Sequence, residues 1–169
     1  VNFIKTATAT NAPVAADVTS AVSSMISAGT STSAAASSTL KLTTSTDALV
    51  GGSGDDTANG VLQGNGTVGN GTGTTVAPGD SIDGKAGTDT FTISVAGDAN
   101  AAYTLSAVQL DNVEKLFLSN FDTDTTADGT VVEADLMTGL TTVGLSSSSL
   151  GGDTLINGLK NNVDAEMRN

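Results

Sequence analysis

The sequence contains no cysteine, no histidine and no tryptophan. Those absences exclude zinc fingers, haem and iron–sulfur ligation, thiol chemistry and every histidine-based triad. Basic residues are scarce, with 6 Lys and Arg against 18 Asp and Glu, so the formal net charge is −12. Nucleic-acid binding rests on Lys and Arg neutralising phosphates, and no nucleic-acid partner is expected. No stretch reaches the roughly 20 apolar residues that a helix needs to cross a bilayer, so no membrane span is expected. Aromatics are limited to Tyr103 and four Phe, most of them needed for a core. Carboxylate-only hydrolysis stays formally open. However, no carboxylate pair stands apart from the turn aspartates, and six scattered cations suit a lyase poorly, so an enzyme is not expected.

What the chain does have is aspartate, glycine, threonine and serine. Its glutamates are Glu114, Glu133 and Glu166; the rest of the acid is aspartate. Aspartate suits turns and hard-cation sites, whereas glutamate suits solvated helix faces. Divalent cations are therefore the natural partner. At 169 residues the length is that of one domain with a moderate core. Without disulfides, an extracellular chain can be stabilised by metal instead. No signal peptide is read at Val1, and the closing "NGLKNNVDAEMRN" reads as the middle of an element. A piece of a longer or processed protein is expected.

Residues 1–39 are expected to form an N-terminal arm, a short helix and a linker. In "NAPVAADVTSAVSSMISAG", Val14, Val18, Ala21, Val22, Met25 and Ile26 fall on one helical face. Pro13 suits a first turn and Gly29 a C-terminal cap, which predicts a helix over 13–28. It is either an interface with a neighbour or a cap on its own domain. "TSTSAAASST" (30–39) reads as a low-complexity linker. From residue 40 to 169, short alternating runs bounded by Gly, Asn or Asp predict strands. These are "LKLTT", "TFTISV", "EKLFLS", "LTTVGLS" and "TLI". "TLSAVQLDNV" (104–113) is read as one helical turn, and "GTVVEADLMTGL" as a strand joined to a short helix-like piece. Phe91/Ile93, Leu116/Leu118 and Val143/Leu145 are expected to stack inward, one coil above another.

The most informative feature is a repeat. "DALVGGSGDDTA" from Asp47 aligns with "DSIDGKAGTDTF" from Asp80, both reading D-x-U-x-G-x-x-G-x-D-x-U with U apolar. Asp47 matches Asp80, Gly51 matches Gly84, Gly54 matches Gly87, and Asp56 matches Asp89. This frame resembles the G-G-x-G-x-D-x-U-x repeat of calcium-binding β-rolls, the RTX-like motif. The resemblance implies a turn whose glycines allow positive φ, so that carbonyls such as those of Gly52 and Gly54 face one calcium ion. The aspartates close the site, and U enters the core. Calcium takes six to eight oxygens, so two stacked turns would share an ion. The candidate ligands are Asp47, Gly52, Gly54, Asp56, Asp80, Asp83 and Asp89. The alternative is a pair of Gly/Asp turns with no ion. The second copy departs from the motif at Lys85, which stands where the second glycine belongs. "VLQGNGTVGNGTGTTVAPG" between the copies is read as a looped-out insertion, its sequons at Asn65 and Asn70 as flexible turns. Asp122, Asp124 and Asp128 form either an ion site or a solvated loop. Gly151–Asp153 is a weaker ion candidate or only a turn.

Across residues 40–169, "LTTSTDALVGGSGDDT", "GDSIDGKAGTDTFTISV", "LDNVEKLFLSNF", "LTTVGLSSS" and "INGLKNNVDAEM" follow an order similar to RTX-related bacterial surface-layer proteins of the Caulobacter type, and to large calcium-dependent adhesins. The resemblance implies a mostly β chain, a parallel β-solenoid stabilised by calcium, in an extracellular protein of the cell surface. It also implies type I secretion, self-assembly into a lattice or filament, and anchoring to lipopolysaccharide or another surface glycan. The leading expectation is a structural segment of such a layer. An adhesin or glycan-binding module is the alternative.

Overall fold

A computed structural model of the chain describes residues 35–63, 72–97, 103–122, 129–148, 153–160 and 162–168. The helix expected over 13–28 lies outside the described residues. So do Asn65, Asn70, Asp124, Asp128 and Gly151.

The described residues are strands and turns, with no helix among them. The strands are β1 (Thr39–Lys41), β2 (Ala48–Val50), β3 (Thr57–Gln63), β4 (Ser81–Asp83), β5 (Thr90–Gly97) and β6 (Tyr103–Leu105). They continue with β7 (Gln109–Asp111), β8 (Lys115–Asp122), β9 (Thr130–Glu133), β10 (Thr142–Ser146), β11 (Thr154–Asn157) and β12 (Asp164–Arg168). Every strand pairing is parallel. A six-stranded sheet runs β1-β3-β5-β8-β10-β12, and two three-stranded sheets run β2-β4-β7 and β11-β9-β6. The chain leaves the large sheet, visits the smaller ones, and returns one strand further along. This is a mostly β, all-parallel architecture consistent with a parallel β-solenoid, and each circuit is here called a coil.

Alternation within the strands builds the core. One side chain in two points inward, and the register stacks these residues into columns. Phe91, Leu116 and Val143 are paired in line, as are Ile93, Leu118 and Leu145. All six belong to the core cluster or are packed against it, as their alternation predicted. Burial on this scale stabilises by about 1.5–3 kcal/mol for each large apolar side chain.

Three expectations are corrected. The helix-like piece expected within "GTVVEADLMTGL" is a run of turns after β9, with Met137 bridged to Leu110. Residues 104–113 form no helical turn: β6 and β7 occupy them, with Ala107 at φ 56° between. The corner there leaves Leu105, Val108 and Leu110 all buried at a mixed spacing that imitates a helix. The segment between the two motif copies, moreover, is not wholly looped out. Its described part, from residue 72, returns along β3 beyond the end of β1. Thr75 and Val76 donate their amides to the Val61 carbonyl at 2.8 and 3.2 Å. Thr75 Oγ1 accepts the Val61 amide at 2.9 Å. Val76 is completely buried, over Gly60, where a Cβ would stand 2.0 Å from Val76 Cγ2. The bare backbone of Gly60 is what lets the returning segment reach the core.

The outer face of the large sheet carries one buried aromatic. Phe117 lies between inward Leu116 and Leu118, in register with Gly144, and Arg168 sits 3.6 Å over its ring. Arg168 also donates to Glu166 at 2.8 Å. A Cβ on Gly144 would lie 2.0 Å from the Glu166 carbonyl oxygen and 3.0 Å from the Phe117 ring. Glycine there admits both β12 and the ring.

Candidate functional site

The residue just before β3, β5 and β8 is acidic in each case: Asp56, Asp89 and Glu114. An amide at the corner where a strand begins needs an acceptor, and these carboxylates supply it from the next coil. Asp56 accepts the Ser38 amide, Asp89 accepts the Asp56 amide at 2.6 Å, and Glu114 accepts the Asp89 amide at 2.7 Å. The spans are 18, 33 and 25 residues, so coil length varies while the corner is kept. Hydrogen bonds to charged groups contribute about 1.5–3 kcal/mol each. The ladder starts within residues read as linker, since Ser38 also accepts from Thr57 and Ala36 from Gly54.

A second corner repeats the device. Asp80 accepts the Asp47 amide at 2.9 Å and the Ala77 amide at 2.8 Å. Asp47 in turn accepts the Thr43 amide at 2.7 Å and its hydroxyl at 3.0 Å. The expected ligands therefore fall into separate columns, Asp56 with Asp89 and Asp47 with Asp80. Asp83 joins neither. Paired to Asp111 on β7, it accepts from Asn112 Nδ2 at 2.8 Å and from Lys85 Nζ at 2.6 Å. Those two donors hold the Asp83 carboxyl below the ordinary 3.8, the Lys85 hydrogen bond first and Asn112 next.

The two motif turns stack in register, Leu49 on Ile82 and Ala58 on Phe91, yet they differ in how the carboxylate is completed. In the first, the Gly52 amide donates to Asp56 Oδ2 at 2.6 Å. In the second, Lys85 takes the place of Gly52 at φ 71° and gives its amide to Asp83 Oδ1 at 3.1 Å. Asp89 Oδ2 is left buried with no donor. Asp56 and Asp89 are each only 2 % exposed. Burial first, then the charges of Asp56, Glu114 and Asp55, push the Asp89 carboxyl above 3.8 against the opposing Asp56 amide.

The glycines of the first turn are needed for room, not for positive φ, which among the described glycines belongs to Gly79, Gly87 and Gly158. A Cβ would fall 2.1 Å from Asp56 Oδ2 at Gly51, 2.5 Å from the Ala36 carbonyl at Gly52, and 2.7 Å from the Ala35 carbonyl at Gly54. At Gly84 it would fall 2.2 Å from both Asp89 Oδ2 and the Asn112 carbonyl oxygen. Two acceptors thus face the same small space beside the second turn. Among the described residues no three carboxylates converge on one point suited to a metal ion. Any ion there would need backbone carbonyls beside the carboxylate.

Sequence reasoning missed Glu114 because it stands outside the repeat frame. Its signal was positional, an acid immediately before an alternating apolar run, as at Asp56 and Asp89. No family model matches the chain, and no curated protein or solved structure is significantly similar to it. Among the described residues no helix is long and apolar enough to cross a membrane.

Proposed function

We propose that this chain is a structural segment of an extracellular, cell-surface assembly, a β-solenoid that calcium staples at its carboxylate corners. The reading includes kinship with RTX-related surface-layer proteins, self-association into a layer or filament, and a surface glycan such as lipopolysaccharide as the anchor. It assigns no catalysis. The observation that carries it is the column of buried carboxylates at Asp56 and Asp89, neither in an ion pair among the described residues, with Asp89 Oδ2 short of a donor. Like charges held in a dry corner repel one another, and a hard cation relieves that repulsion. Of the expected ligands Asp89 fits an ion best, since its Oδ2 has no donor; both oxygens of Asp47 and of Asp80 already accept hydrogen bonds. The ion would supply charge neutralisation and cross-coil bonding, so that its binding energy becomes folding energy.

The test is a calcium titration with a chelator control, following far-UV circular dichroism, melting temperature and particle size together. Ordering, a higher melting temperature and growth of particles with calcium support the reading. If calcium changes none of them, the corners are amide ladders alone, and an adhesin or glycan-binding module becomes the better assignment.

A further inference from the structure

The two stacked turns part at the residues that complete their carboxylates, Gly52 with Val50 in the first and Lys85 with Asp83 in the second. Gly52 completes its carboxylate with an amide, while Lys85, in the equivalent place, turns its amide and its ammonium to Asp83. A left-handed lysine costs about 1–2 kcal/mol, which the two contacts to Asp83 offset. The outcome is one buried carboxylate oxygen, Asp89 Oδ2, without a donor, lying beside Gly84 as the Asn112 carbonyl oxygen does. A buried carboxylate oxygen with no donor attracts a cation more strongly than one whose charge an amide already shares.

We propose that Lys85 selects which of the two turns is open to a cation: by withdrawing its amide it keeps the second turn open at Asp89 Oδ2, while the full motif at Gly51–Asp56 is closed by its own backbone. This rests on the ion-stapled reading above and inverts the expectation from the motif, in which the complete copy is the better site. The Lys85 charge does not block the ion, because Asp83 neutralises it at 2.6 Å.

The experiment is calorimetric titration of the metal-stripped 169-residue chain with calcium chloride, on wild type and three variants. Lys85→Gly frees the amide to reach Asp89 Oδ2, as Gly52 does at Asp56, and is expected to weaken binding about tenfold or more. Lys85→Asn tolerates the left-handed backbone and is expected to bind within about threefold of wild type. Asp89→Asn is expected to abolish the uptake. Wild-type binding that either Lys85→Gly or Asp89→Asn leaves unchanged overturns the proposal alone. If Asp89→Asn is more stable than wild type in chelator and wild type takes up no calcium, a proton fills the space, and both the proposal and the ion-stapled reading fall.

Discussion

Gly60 and Val76 offer a sharp test of how the long segment between the motif copies is used. Val76 is fully buried, and a methyl on Gly60 would stand 2.0 Å from its Cγ2. Val76→Ala removes two methyl groups from a closed site. At ~0.8 kcal/mol for each group transferred, plus a cavity contribution, the loss is about 2 kcal/mol. Gly60→Ala overfills the same space and is expected to cost about 1–3 kcal/mol. The two changes compensate, since the new methyl occupies room that the smaller residue 76 vacates. The double variant should therefore be about 1–2 kcal/mol more stable than the sum of the single losses implies. Urea melts followed by far-UV circular dichroism, at one fixed calcium concentration, measure all four corners of the cycle. Thermal melts should agree, with about 2–4 °C lost for each kcal/mol. Additivity to within ~0.5 kcal/mol, or a harmless Val76→Ala, would show that residues 72–80 do not reach the core.

Gly144→Ala drives a methyl against the Glu166 carbonyl and the Phe117 ring. It is expected to cost about 1–3 kcal/mol and to strip hydrogen-exchange protection from β12 before the inner coils; unchanged protection there would contradict the packing described. The pH response of Asp89 has a definite sign. Its native carboxyl titrates above the ordinary 3.8, so the folded state holds the proton more tightly. The stability tied to that proton is full below the unfolded value and is lost as pH rises through the raised native one. Measured in chelator, wild-type stability relative to Asp89→Asn should therefore fall as pH rises from the ordinary 3.8 through the raised native value. A difference that rises with pH would refute the burial argument.

Much of this fold is legible along the chain, because parallel coiling writes itself as local alternation. The inward columns at Phe91, Leu116 and Val143, and at Ile93, Leu118 and Leu145, follow from a period of two within strands that tolerate few alternatives. The stacking of the two motif turns follows likewise from their shared frame. The strands β2 and β4 were harder to read. Each has three residues and sits inside a motif whose glycines read as turn. The helical reading of 104–113 failed for a related reason, since a corner between two short strands produces a spacing that periodicity alone does not separate from a helix.

The sequence by itself determined the chemical class of this protein: acidic, without thiol or imidazole, Asp-rich at glycine turns, and alternating enough to coil. Those are properties of residue type and spacing, and no partner in space is needed to read them. Only the tertiary structure decided what the aspartates do. Each corner carboxylate takes an amide from the neighbouring coil, 18, 33 or 25 residues away, and whether its other oxygen is bonded depends on the fold of its own turn. Asp56 and Asp89 occupy the same motif position, yet one has both oxygens bonded and the other does not. Lys85 and Asp83, which stand where the first copy has Gly52 and Val50, separate them, since the Lys85 amide at φ 71° goes to Asp83.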